Sequence, residues 1–218
     1  MKERESILSD TKKRIIEVAG RVFAESGFRN ATVREICRLA SVNIAAINYH
    51  FGDKKSLYLA AIKHLRTIAF EQYPLDAGSD TSFPPEERLK AFIMQFIKRI
   101  HECREGESPW LRMVIIRELM EPTEGLDIIV GEMVRPTFGV LSTIIREIVG
   151  KQVSEQTIRL CCGSVIGQTF FFFYAQPIRE KLFPTDKSTK SETKVITDHI
   201  TSFSLNAIRS YAVPKKRR

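Results

Sequence analysis

Apolar residues along the chain recur at three- and four-residue intervals, and no run alternates with a period of two. The pattern therefore predicts helices and no strands. The first helix is expected to begin at Asp10 or Thr11, either of which can cap it. It places Ile15, Ala19, Val22 and Phe23 on one side before Gly27 ends it. A second begins at Thr32, where Thr32-Val33-Arg34-Glu35 sets a hydroxyl and a carboxylate at the spacing that lets each satisfy a backbone N–H of a helix start. Val33, Ile36, Cys37 and Ala40 form its apolar side. A third, capped by Asn43 and stopped at Gly52, has about two turns. It gathers Ile44, Ile47 and Phe51 on one side and turns Ala45, Ala46 and Tyr49 away, with Asn48 and His50 beside them. Asp53 caps a fourth helix that carries Leu57, Leu59, Ile62 and Leu65 toward Phe70.

Residues 73–85 interrupt the periodicity with Pro74, Gly78, Pro84 and Pro85 and read as a linker. Longer, more apolar helical patterns follow. One holds Phe92, Phe96, Ile97 and Ile100; the next, capped by Ser108 and opened by Pro109, holds Trp110, Met113 and Ile116. Phe138, Leu141 and Ile145 mark a third. A helix from Ser154 carries Gly163, Ser164 and Gly167, small residues that let a partner helix approach. Residues 193–211 set Ile196, Ile200, Phe203, Ala207 and Tyr211 in a stripe that serves either a core or a seam between helices. About nine helices are expected in all. The reading is an all-α protein with an N-terminal three-helix domain over residues 1–56, a larger helical domain over 57–213 and a basic tail at 214–218.

Three short helices, the last two joined by a turn of about three residues, have the proportions of a helix-turn-helix whose second element enters the major groove of DNA. The outer side of the third helix suits that task. Ala45 and Ala46 let the backbone approach base edges, while Asn48, Tyr49 and His50 can donate to phosphate oxygens. Thr32 and Lys54 stand at helix starts, where free N–H groups favour phosphate, and Arg34, Lys12, Lys13 and Arg14 can reach a neighbouring backbone. The same pattern fits a helical protein-binding or structural module without DNA, in which Tyr49 belongs to the core and Lys54 and Lys55 are merely solvated.

Net charge matters here through its location. Of the formal +8, residues 1–56 contribute eleven Lys/Arg against seven Asp/Glu, and residues 208–218 five against none, leaving the middle nearly neutral. The basic excess thus includes the stretch expected to meet phosphate. Cys37, Cys103, Cys161 and Cys162 show no paired framework and are expected to be reduced thiols. No apolar leader follows Met1, and the longest apolar run covers only residues 170–175, so a cytoplasmic protein without a membrane contact is expected. No Gly-rich phosphate loop, Gly-x-Ser-x-Gly elbow or His-Glu-x-x-His is present, which argues against an enzyme and against a cofactor. His101 and Cys103 alone do not make a metal site.

Gly27-Phe28-Arg29-Asn30-Ala31-Thr32-Val33-Arg34-Glu35-Ile36, then Ala40-Ser41-Val42-Asn43, then Asn48-Tyr49-His50-Phe51-Gly52-Asp53-Lys54-Lys55-Ser56-Leu57 together resemble the TetR family of transcriptional regulators. The resemblance implies that Asn43 to His50 form the recognition helix on double-stranded operator DNA and that Lys54 contacts phosphate. Asn48 stands where the family commonly has tyrosine. It further implies a repressor, a homodimer formed by the last two long helices, and a small-molecule effector held by the C-terminal helices. The residues placed in these roles are Gly163, Gly167, Ile200, Phe203 and Ala207 for the dimer. For a mainly apolar effector they are Phe92, Phe96, Trp110, Met113, Arg117, Phe138 and Phe171. The run over residues 170–177 is similar to members with a longer C-terminal domain.

Overall fold

A computed structural model describes residues 2–74, 80–102, 110–150, 152–184 and 190–212. Its elements are α1 (Lys2–Asn30), α2 (Val33–Ala40), α3 (Ile44–Phe51), α4 (Lys54–Gln72), α5 (Pro85–Glu102), α6 (Leu111–Met120), α7 (Gly125–Ile128), a π-helical segment (Ile129–Val134), α8 (Arg135–Val149), α9 (Glu155–Tyr174), α10 (Gln176–Leu182) and α11 (Lys190–Ser210). No strand occurs among the described residues. The short α7 and α10 lie below the length at which periodicity is visible, so the expected count of about nine is exceeded. The α1 helix starts ahead of the expected Asp10 or Thr11. Lys, Glu and Arg are good helix formers, and no breaker precedes the cap candidates. Ser108, Pro109, Cys103 and the tail 214–218 lie outside the described residues.

Two compact units form, and their division differs from the boundary expected near residue 56. One comprises Met1–Ala69 with Cys103–Val134, the other Phe70–Glu102 with Arg135–Arg218. The reason that α6, α7 and the π segment join the N-terminal helices lies in specific long-range contacts. Trp110 is buried against α1 at Gly20, where an added Cβ would fall 2.0 Å from the indole. Arg117 donates from Nε to the Ala24 carbonyl at 2.7 Å and from Nη2 to that of Glu25, meeting α1 carbonyls just before Gly27 breaks the helix at φ 77°. Glu118 is buried and accepts from Tyr58 of α4, from the Thr123 hydroxyl at 2.6 Å and from the Thr123 N–H at 2.9 Å. These donors offset the cost of burying the carboxylate away from water. Burial first, and the Glu118 carboxylate second, push the Tyr58 phenol above its ordinary range. Around this network Ile15, Phe23, Ile36, Ile47, Leu57 and Leu65 close the core, and the Phe23 and Tyr58 rings meet edge-on at 4.8 Å.

The second unit packs α5, α8, α9 and α11 around Leu89, Ile93, Ile97, Leu141, Ile145, Ile158, Cys162 and Ile200. Its buried hydroxyls Thr169, Thr197 and Thr201 each donate to the carbonyl four residues earlier, so polar groups enter the core without losing partners. The buried Arg88 meets Glu147 at 2.5 Å. Cys37, Cys161 and Cys162 are buried free thiols, and burial pushes Cys162 up to about 12. The stretch Gly125–Val149 is apolar and long enough to cross a bilayer by composition alone, with mean hydropathy 1.5, which the sequence reading did not anticipate. Its Leu141, Ile144, Ile145 and Val149 sit in the second unit's core, and about a third of its most apolar window is buried.

Gly20 has no room for a side chain, so Gly20→Ala is expected to displace Trp110 and destabilise the first unit by about 1–3 kcal/mol. Urea unfolding followed by the fluorescence of Trp110, the single tryptophan, checks this. An unchanged midpoint would contradict the packing described.

Candidate nucleic-acid interface

The first unit builds its outer surface from short helices whose ends are fixed by side chains. Thr32 is extended at φ −116° and its hydroxyl accepts from Glu35 N–H at 3.2 Å, the threonine half of the expected exchange. α2 ends at Ser41, whose φ of 53° lies in the left-handed region, and the Val42 N–H then reaches the Cys37 carbonyl at 3.0 Å. Holding a serine there costs about 1 kcal/mol, offset by that closed turn. Asn43 Oδ1 accepts from Ala46 N–H at 2.9 Å and starts α3. Gly52, at φ 81°, turns the chain out of it. Asp53 Oδ1 then accepts from Ser56 N–H at 2.7 Å to start α4, a bond that holds the Asp53 carboxyl below the usual range.

These caps leave α3 with a single fully buried side chain, Ile47, while Phe51 and His50 are half-buried. Tyr49 is 76% exposed, which excludes the core role open to it from sequence. Asn43, Ala45 and Asn48 are exposed and Ala46 is half-buried. Ile44, expected on the buried side, is 54% exposed. The packing of so short a helix centres on Ile47, one turn further on. Thr32 and Arg34 are exposed on α2. Lys54 is half-buried: its ammonium donates to the Arg29 carbonyl at 3.1 Å and rides over the Phe28 ring at 4.9 Å. The residues named from sequence therefore stand on the short helices α2 and α3 and at the start of α4. Ile44 was read from sequence as part of the recognition helix but on its buried side, and the structure exposes it. Its place as the first residue of α3, ahead of the turn that Ile47 anchors, was the available signal for its exposure.

Residues 15–61 match the family described as bacterial regulatory proteins, tetR family, and residues 85–208 match the C-terminal domain of the HTH-type transcriptional dual regulator CecR. CecR of Shigella flexneri is 30% identical over 169 residues, covering 74% of each chain. The chain belongs to the TetR family. Its C-terminal part is of the CecR type, which agrees with the longer C-terminal domain expected from the sequence. The transcriptional repressor AcnR of Corynebacterium glutamicum is 42% identical over 52 residues, 24% of this chain and 28% of that one. A solved regulator from Clostridium perfringens shares the fold at a TM-score of 0.66 and 22% identity, over 93% of this chain and 100% of the other. Members of this family are DNA-binding regulators and not enzymes, and they usually act as dimers.

In this TetR-family chain the effector candidates fall in both units. Trp110, Met113 and Arg117 belong to the first. Trp110 is packed on Gly20, and Arg117 is spent on the α1 carbonyls. Met113 and Arg117 line a cleft of about 280 Å³ with Phe28, Tyr58, Ile116 and Met120 and the charged Arg29, Glu118 and Glu121. Phe92, Phe96 and Phe138 belong to the second unit's core, where the Phe92 and Phe96 rings stack at 5.9 Å. Phe171 lines neither and is 54% exposed on α9.

Of the dimer candidates, Gly163 and Gly167 lie exposed with nothing within 4 Å of an added Cβ, and Phe203 and Ala207 are exposed on α11. Ile200 is a correction. It is fully buried in the unit's own core, because α11 turns that side of its stripe inward onto α5 and α9. Leu160 and Phe171 on α9 and Val195 on α11 are further exposed apolar residues of these two helices that the sequence reading did not assign to a dimer. Leu160, Gly163, Gly167 and Phe171 follow the helical repeat, which was the signal for them.

Proposed function

We infer that the protein is a homodimeric repressor that α3 seats on a palindromic operator and that a small, mainly apolar effector releases. The observation that carries the DNA reading is the exposed side of α3, which presents Ala45, Asn48 and Tyr49 without an Asp, Glu, Lys or Arg between Ile44 and Phe51. A solvated helix of eight residues in a chain of net charge +8 has little reason to lack charge there. Base edges in a groove supply one, with Thr32, Arg34 and Lys54 left to meet phosphates. The name of AcnR supports repression. That of CecR, a dual regulator whose C-terminal domain this chain shares, supports a second reading in which activation accompanies repression.

Replacing Tyr49 and Lys54 together by Ala is expected to lower affinity for promoter DNA by at least 100-fold while leaving helicity and oligomeric state intact. For the wild-type protein, log affinity falls linearly with log salt, by about 0.9 per phosphate neutralised. A gel-shift titration across salt concentrations reads both quantities, and unchanged affinity in the double variant sinks the assignment.

Pairing through α9 and α11 is supported by the apolar and small residues left exposed there, Leu160, Gly163, Gly167, Phe171 and Phe203. Phe203→Asp touches no core position and is expected to give monomers in sedimentation at micromolar concentration. A wild-type protein that sediments as a monomer contradicts the dimer.

Effector control is supported by the cleft that Met113 and Arg117 share. The cleft's 280 Å³ lies just below the roughly 300–1,000 Å³ of typical ligand sites and would take only a compact molecule. An effector that releases DNA must itself bind more weakly to the DNA complex, by the same factor. Thermal shifts of apolar compounds with and without operator measure that factor; a compound that binds equally in both cases is not an effector.

A further inference from the structure

α3 opens on an isoleucine that the fold leaves more than half exposed. Ile44 is 54% exposed, and its neighbours on the outer side are Ala45, which is exposed and small, and Tyr49, which is 76% exposed. Ile47 is the one fully buried residue of the helix, with Ala46, His50 and Phe51 half-buried. Single exposed apolar residues are ordinary on protein surfaces. Ile44 is different in its company, since it belongs to an uncharged face with charge confined to the flanks, at Arg34 on α2 and Lys54 on α4. Asn43, which precedes it, is occupied in capping, with Oδ1 on the Ala46 N–H. The first turn of α3 therefore offers a branched alkyl group and two methyls, and no free hydrogen-bonding side chain of its own beyond the remaining amide group of Asn43.

Among base edges in the major groove, the thymine C5-methyl is the apolar feature, and alkyl side chains recognise it by contact. Guanine is read chiefly by Arg or Lys, which this turn lacks. We propose that Ile44 is a specificity-determining residue that selects a thymine in each operator half-site by burying its C5-methyl. This rests on the DNA-binding reading above and adds the base that the start of α3 prefers. Burying one methyl is worth about a four-fold change in affinity, and two half-sites about fifteen-fold.

The full-length protein is first used to select duplexes from a random pool, and the selected operator is then resynthesised with uracil in place of thymine, one position at a time. Uracil keeps every hydrogen-bonding group and removes only the methyl. One thymine per half-site is expected at which uracil weakens wild-type binding about four-fold, or about fifteen-fold in both halves. Ile44→Ala should bind the thymine operator with that same loss and be indifferent to uracil at that position, whereas Ile44→Val should keep the discrimination. Circular dichroism and oligomeric state of each variant show that it is folded.

If the wild type selects a defined sequence but no thymine-to-uracil change weakens it, or if Ile44→Ala still discriminates, the proposal is overturned and the DNA-binding reading stands. If the wild type enriches no sequence at all, the DNA-binding reading falls, and the role of Ile44 with it.

Discussion

An eight-residue helix cannot hold itself in water, and α3 has one fully buried side chain to hold it in the protein. Its orientation therefore depends on how its two ends are tied. The Asn43 cap, the left-handed Ser41 before it, the Gly52 exit and the Asp53 cap of the next helix leave the chain little freedom on either side. Because those ties are made by backbone groups and short polar side chains, the outward side of α3 is released from any structural duty. It can carry Tyr49 and Ile44 in solvent, at a cost in exposed apolar surface that only a partner can recover.

The rest of the first unit serves to make that platform stiff. Arg117 secures the carbonyls before the Gly27 break, and Glu118 joins Tyr58 to Thr123, so α6 and its following turn are built into the DNA-facing half. Lys54 shows the same economy. Its ammonium is held by the Arg29 carbonyl and the Phe28 ring, which gives the cation at the head of α4 a fixed place.

Much of this was legible in the sequence wherever the controlling interaction is short in range. Thr32, Asn43 and Asp53 act within three residues of themselves, and each caps the helix expected of it. Periodicity also placed Ile15, Ile36, Ile47 and Leu57 in the core. What it could not decide was which of two possible neighbours covers a stripe. Ile200 and Phe203 belong to one stripe on α11, yet the first is buried and the second 60% exposed, a difference set by how α5, α8 and α9 pack around that helix. Ile44 failed in the opposite sense, since a two-turn helix can match an apolar template at three positions while burying one fully. The joining of α6 to the N-terminal helices depends on Trp110 meeting Gly20 across ninety residues of chain, which no local pattern encodes.

The central claim is that α3 is a preformed reading element whose outward side meets DNA. Backbone amide and carbon shifts of the isotopically labelled protein, followed by NMR during titration with a selected operator duplex, test it most directly. The account predicts helical carbon shifts for Ile44–Phe51 in the free protein, and the largest amide changes on binding at Ile44, Ala45, Asn48 and Tyr49, fading as salt is raised. A duplex that binds while these amides stay unmoved and others shift would contradict it.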